Sequence, residues 1–572
     1  MRLIRNSLAV VCLLAVVAFA WLWWTRPERV DMAAYVPADS IIYVEANSLR
    51  DILKAFTSTD DWKELAPAAG VETGGGARDR LTDLISFTGI GPSDAVVLSR
   101  AQVAVAVVGF EAAEADGALS YKPRAALVVE THTSEWRVKS AVEKLVGDFA
   151  RRSFEGGVSV ERKEVDGVPF FVWTEQGGGR RRIVAAVYES EVVLGKDESV
   201  VQSCLDVRRG ARPGLAGNEQ LKEMRARLGA DGALAFGFAP RGSAAKIVEV
   251  FAPAFVGGVS SDTKVQSVLA TVLPQLINQT IGGFGWSSRV EGGRIEDDYF
   301  LELLGDTAQR MQESFAASDA RGDGAGALLP PETYQFTRYN FRNPEAAWHG
   351  FGAALSSQVD VLRATPITLA LEAMLKPLGI EQPREFLRAC GPEVATAALD
   401  STSEGKLLIA SVRDRDALLA QVRARLGRAA RTERAGDVEI LVSPEDERGA
   451  AAFVGDYLVI GSEGDVRRSV ETHAAGRTLQ DSPAFKAASQ NFFDAQPFAL
   501  TLTDERDSAR SVVNYFARRG GAKESDQGAL EDALARRGYS VGETRLAENG
   551  FEKKTRSPFG LFGEIITRFA PR

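Results

Sequence analysis

Cysteine, histidine and methionine are scarce in this chain of 572 residues, at three, three and five copies. Three cysteines cannot supply a disulfide framework or a cysteine-rich metal site. Three histidines, His132, His349 and His473, leave little material for a zinc enzyme. An excess of basic charge is missing too: the net charge is −9 at pH 7, which argues against a nucleic-acid partner. Long apolar runs are absent after the first 24 residues. What is present is ordinary globular composition, 45% hydrophobic and 25% charged, which excludes a disordered, collagenous or coiled-coil chain. The length allows about three or four domains, or two large ones.

The single apolar run is Leu8–Trp24, LAVVCLLAVVAFAWLWW. As a helix it would be about 26 Å long, the short end of what spans a bilayer. Arg2 and Arg5 precede it, Trp21, Trp23 and Trp24 close it, and Arg26 and Arg29 follow. That pattern predicts a retained signal anchor over residues 1–29, with the N-terminus cytoplasmic and the rest of the chain outside the inner membrane. The rival reading is cleavage after Ala18-Phe19-Ala20 and release to the periplasm. Residues 1–29 carry four arginines and one glutamate, so the remainder is more acidic than the whole and poorly suited to anionic lipid.

The remainder reads as one domain written twice. VPADSIIYVEA (Val36–Ala46) resembles LPPETYQFTRY (Leu329–Tyr339), and VAVA (Val103–Ala106) resembles VATA (Val394–Ala397). Leu127–Gly147 aligns without a gap to Leu407–Gly427, and Ile183–Val201 to Ala450–Arg468. Gly242–Ala252 pairs with Asp507–Ala517. The blocks keep the same order, which gives repeat one over residues 30–316 and repeat two over 327–572. Between them ASDARGDGAGA, Ala316–Gly326, has the composition of a linker.

Alternating or continuous apolar runs predict strands at Ile41–Glu45, Val103–Val108, Ala126–Thr131, Val158–Val165, Phe170–Trp173, Ile183–Tyr188, Val192–Leu194 and Ala233–Phe238. Helices are expected after Ser134, Asp197 and Asn218 as N-caps. Turn signals stand at Asp166-Gly167, Gly177–Gly179 and Gly292-Gly293. The fold class is therefore α+β: two tandem, similar halves, each a mostly antiparallel sheet with helices on one face, after a transmembrane helix.

The opening VPADSIIYVEANSLRDILKAF (Val36–Phe56) resembles the start of a family of exported, membrane-anchored bacterial proteins catalogued only as a domain of unknown function. VVLGKDESVV and LVIGSEGDVRRSV are similar to that family's second signature, a strand ending in Gly before a capped helix. The resemblance implies an extracytoplasmic location and supplies no catalytic residue.

The repeat acts as an internal control on candidate sites. Non-apolar positions that match between copies, such as Pro37/Pro330, Ser40/Thr333, Gly195/Gly461 and Asn218/Ser482, are turn formers and cap types. No His, Cys or acidic cluster recurs. Ser243 and Lys246 form a Ser-x-x-Lys sequence with the potential for acyl transfer, but repeat two keeps only Ser508 and has Ser511 in place of the lysine. Cys204 and Cys390 read as buried thiols rather than a bridge. His132 matches Val412 and reads as a packed residue. Gly177–Arg182 reads as a hairpin tip rather than a phosphate cradle. The apolar C-terminus Phe559–Arg572 matches Leu303–Phe315 and is expected to dock on its own half.

No catalytic, cofactor-binding or metal-ligating residue is assigned, and no cofactor is expected. The chain reads as a non-enzymatic, membrane-tethered envelope protein with a binding or structural role. A carrier or sensor of an apolar ligand or lipid is the first alternative. A Ser–Lys hydrolase at Ser243/Lys246 is the second.

Overall fold

The computed structural model describes residues 29–71, 101–250, 263–356, 371–489, 497–519 and 526–569, apart from 116–117, 178, 180, 313, 316–323, 373–374, 376–377, 379, 403–405 and 538. The expected transmembrane segment lies outside the described residues. Among them, no helix is long and apolar enough to cross a membrane.

The alternating runs form strands, and tight turns make about half of the connections hairpins, the rest passing through helices. The first ten strands are β1 (Ile42–Ala46), β2 (Gln102–Ala115), β3 (Ala118–Glu130), β4 (Val158–Val165), β5 (Val168–Glu175), β6 (Arg182–Tyr188), β7 (Glu191–Gly195), β8 (Ala235–Ala239), β9 (Ile281–Glu291) and β10 (Arg294–Leu303). The next ten are β11 (Gln335–Asn340), β12 (Cys390–Ala398), β13 (Leu407–Val412), β14 (Arg431–Ala435), β15 (Val438–Val442), β16 (Ala450–Val454), β17 (Tyr457–Gly461), β18 (Ala499–Asp504), β19 (Tyr539–Ala547) and β20 (Gly550–Ser557). All pairings are antiparallel. They run β4-β5-β6-β7-β3-β2-β1-β8-β9-β10 along one arm. The other arm runs β14-β15-β16-β17-β13-β12-β11-β18-β19-β20. β10 pairs with β20, so the arms share one continuous sheet instead of closing separately. The free edges, β4 and β14, are charged and largely exposed, which guards them against pairing with another chain.

Helices cover both faces of the sheet, not one. The helices used below are α1 (Leu49–Ser58), α2 (Asp60–Ala68), α3 (Glu135–Ser153), α4 (Glu198–Arg208), α5 (Glu219–Leu228), α6 (Thr307–Gln312), α7 (Pro344–Ser356), α8 (Arg415–Leu426), α9 (Glu463–Ala475), α10 (Arg506–Arg519), α11 (Gln527–Arg537) and α12 (Gly560–Phe569). Ala126 and Val128 pack with α4, while Val129 on the opposite face packs with α3. Leu407 and Ile409 pack with α9, and Leu408 and Ala410 with α8. The N-caps fall where the sequence places them: Asp197 accepts from Ser199 N and Asn218 from Leu221 N, and Ser134 stands at the start of α3.

The pairing register corrects the ungapped alignments by one residue. Ala126 faces Gly195, and Leu408 faces Ile460, next to Gly461. Ala126 thus stands where Leu407 does, not Leu127. Thr131 N donates to Ser190 O as Val412 N does to Asp456 O, so Thr131 is the counterpart of Val412. His132 is an extra residue, in the left-handed region at φ 51°. The presumed linker also ends early: Gly324–Leu328 is a 3-10 turn with Ala325 and Gly326 buried.

The terminal helix of each arm reaches across to the other. Leu561 and Phe562 of α12 pack on Ala46, Ala235 and Trp286 of the first arm. Ala308 and Met311 of α6 pack with Ala354 and Phe551 of the second. The C-terminal segment thus docks on both arms: Phe559 and Ile566 pack with Val512, Val513 and Phe516 of its own half, as expected, while Leu561 and Phe562 reach across to the first. Phe56 and Trp62, from α1 and α2, join Phe516, Leu530 and Phe559 in one mixed cluster. Buried Arg294 adds a bond to Tyr539 O at 3.2 Å and an ion pair to Asp61 at 3.3 Å.

Candidate functional site

Side chains alternate across a strand, so one set of residues on β1, β8, β9 and β10 points to a single face. On that face β1 presents Ile42, Val44 and Ala46, and β8 presents Ala235, Gly237 and Ala239. β9 presents Gly282, Phe284 and Trp286, and β10 presents Tyr299 and Leu301. Register places Ala46 against Ala235, and Gly237 against Trp286. Ala46 and Ala235 are thus neighbours and Gly237 lies between Val44 and Trp286, and these small residues on β1 and β8 leave room for a trough.

The roof comes from three directions. α1 contributes Ile52, Leu53 and Phe56, a helix over 243–250 contributes Ala244, Ile247 and Val248, and α12 contributes Leu561, Phe562, Ile565 and Ile566. The cavity measures about 930 Å³, and among the described residues no charged side chain lines it. Phe284 and Ile565 are 39% and 45% exposed and mark its mouth.

The few polar groups on the lining are already engaged. Tyr43 Oη donates to Glu45 at 2.7 Å, and Trp286 Nε1 donates to Asp297 Oδ1 at 3.2 Å. Tyr299 hydrogen-bonds to the Thr555 side chain, and burial pushes its hydroxyl well above the usual phenol range. Asp297 Oδ2 accepts from Leu561 N at 3.2 Å and so caps α12, tying the roof to the floor. Burial raises the Asp297 carboxyl above the usual range. The described lining is thus almost wholly hydrocarbon.

The same register positions on the second arm are different. β11 and β18 carry Gln335, Thr337, Thr501 and Thr503 on this face, and Thr337 and Thr501 hydroxyls bond each other at 3.2 Å. The sheet thus accepts a polar face at these positions, so the apolar trough is not demanded by the strands themselves.

The residues singled out from sequence lie apart from one another. Ser243 is buried and Lys246 exposed. The helix starts at Ser243 itself, with Gly242 at the cap position, so Ser243 is not the cap. Cys204 and Cys390 are free, buried in separate clusters, with thiols pushed up to about 12 by burial. His132 is half-buried, its Nε2 3.0 Å from Gln102 Oε1, while His349 and His473 are exposed. Gly177 lies at the tip between β5 and β6, with Gly178 and Arg180 outside the described residues. Among the described residues no group of three His, Cys, Asp or Glu could hold a metal ion. Sequence reasoning missed the trough. Its signal was the contrast of Ile42, Val44 and Gly237 with Gln335, Thr337 and Thr501.

Compared with protein-family models, curated proteins and solved structures, the chain matches none.

Proposed function

We propose that this chain is a non-enzymatic, membrane-tethered protein of the bacterial envelope that carries an apolar ligand, a lipid or hydrocarbon chain, in the trough under α12. The observation that carries this reading is the cavity of about 930 Å³ with no charge among the described residues of its lining. Ligand sites are of this size, whereas packed interiors leave few voids larger than a water. With every polar group on the lining engaged, the buried part of the ligand is hydrocarbon and any head group stays at the mouth by Phe284 and Ile565.

Two tandem, similar halves are part of the proposal. The strand order supports them, because the second arm repeats the first with ten added to each label. So does the matched turn in which Ser40 and Thr333 each donate to the carbonyl of Pro37 or Pro330 at 2.7 Å. The anchor over residues 8–24, the periplasmic location and the likeness to exported bacterial proteins rest on sequence. A tethered carrier holds its cavity beside the membrane that supplies the ligand.

The test is titration of the full chain with a polyene fatty acid whose fluorescence rises out of water. Saturable binding that weakens roughly tenfold or more in Val248→Trp, which fills the trough, is expected. Unchanged affinity in that variant contradicts the reading.

A further inference from the structure

We propose that a second, smaller cavity on the other arm is a separate site for an uncharged molecule with flat aromatic rings. The cavity lies under α7 over β11, β12 and β13, encloses about 450 Å³, and shares no lining residue with the trough. Among the described residues it too has no charged side chain on its lining. Its polar residues, Tyr339 and Thr396, bond each other.

Ring content sets it apart. Phe315 stands edge-on to Phe341 and to Phe498, each at 5.3 Å. Phe341 stacks on Phe498 at 5.5 Å, and Phe498 stands edge-on to Phe551 at 5.9 Å. Such a nest offers ring faces and ring edges together, and a further ring gains from both beyond the area it buries. An alkyl chain gains only area, in about half the volume of the trough. Phe315 comes from the first arm, just past α6, and Phe341, Phe498 and Phe551 from the second. The nest is complete only because α6, the last helix of the first arm, packs on the second.

The test is photolabelling of the full chain, held in amphipol, with benzophenone, an uncharged diaryl ketone, followed by peptide mass spectrometry. Saturable labelling confined to the lining of this cavity, at Phe315, 339–351, 375–396, Leu408, Phe498 or Phe551, and displaced by N-phenyl-1-naphthylamine, is expected. Labelling of 235–248 or 561–566 at equal strength, or no saturable labelling, overturns the proposal. In a second measurement, N-phenyl-1-naphthylamine binds roughly tenfold or more weakly to Leu378→Trp, which fills this cavity from its half-buried rim. Its affinity for Val248→Trp stays the same. An equal or reversed pattern overturns the proposal. Because Val248→Trp reports on the trough alone, failure of the carrier reading leaves this result standing.

Discussion

Asp298 faces Lys554 across the pairing of β10 with β20, with Nζ 3.6 Å from Oδ1. This opposite-charge pair sits near the centre of the one seam that joins the arms, which runs from Ile295 opposite Ser557 to Glu302 opposite Gly550. Glu296 faces Arg556 beside it at 3.0 Å, and Arg289 reaches both Glu296 and Asp298. Directly opposed charges of unlike sign favour one register of the seam over its neighbours.

Reversing the charge of Lys554 therefore destabilises the seam more than removing it. Lys554→Glu places a carboxylate opposite buried Asp298 and near Glu296, and is expected to cost about 2–3 kcal/mol in denaturant unfolding. Lys554→Met leaves Arg289 on Asp298 and is expected to cost below about 1 kcal/mol. Equal costs for the two variants would remove the electrostatic account of the seam.

Asp297→Ala removes the cap of α12 and leaves Trp286 Nε1 without its partner. Together these losses are expected to cost about 2–3 kcal/mol. Hydrogen exchange reads the effect locally: amides of Gly560–Phe569 exchange faster while α3 keeps its protection. Unchanged protection of α12 would show that Asp297 does not hold the roof.

Glu191 supplies a pH dependence. Its carboxylate is 1% exposed, and cross-strand from it stands buried Glu130. Arg208 lies 3.5 Å away, and Glu189, Tyr35 and Cys204 also face the cluster. Burial, with Glu130 and Glu189 adding to it against the pull of Arg208, raises the Glu191 pKa from 4.5 to about 8. The folded chain thus holds this proton more tightly than the unfolded chain. Stability from this group is full below the unfolded value, falls as pH rises from about 4.5 to about 8, and is flat above. Glu191→Gln is expected to flatten that fall and to exceed wild type at pH 8 by about 3–5 kcal/mol at most. A wild-type curve that is level from pH 5 to 8 contradicts this.

Ser40 and Thr333 make the same buried bond in the two arms. Ser40→Ala and Thr333→Val are each expected to cost about 1 kcal/mol. Costs that differ by more than about 1 kcal/mol would show that the matched turns are not equivalent in energy.

Much of the fold was legible because its signals are local. Val158–Val165 was read to the residue, and the caps Asp197 and Asn218 stand where their side chains predict. The register between copies was not. Val and Leu fill both faces of β3 and β13, so sliding one against the other by one position leaves the apolar pattern intact. Only the bonds of Thr131 and Val412 expose His132 as the extra residue. The reach of α6 and α12 across the arms was hidden for a different reason: an amphipathic helix encodes an apolar face, not which surface it meets. The trough was legible only as a difference. Ala235 and Gly237 read as ordinary strand residues until register sets Ala235 beside Ala46 and Gly237 between Val44 and Trp286.

Mass spectrometry of lipids extracted from the full chain, purified in amphipol directly from its own membrane, tests the carrier reading most directly. The account predicts about one chain-bearing lipid per protein in wild type, and its loss in Val248→Trp while Leu378→Trp retains it. Wild-type protein that carries no lipid, or a Val248→Trp variant that carries as much as wild type, would contradict it.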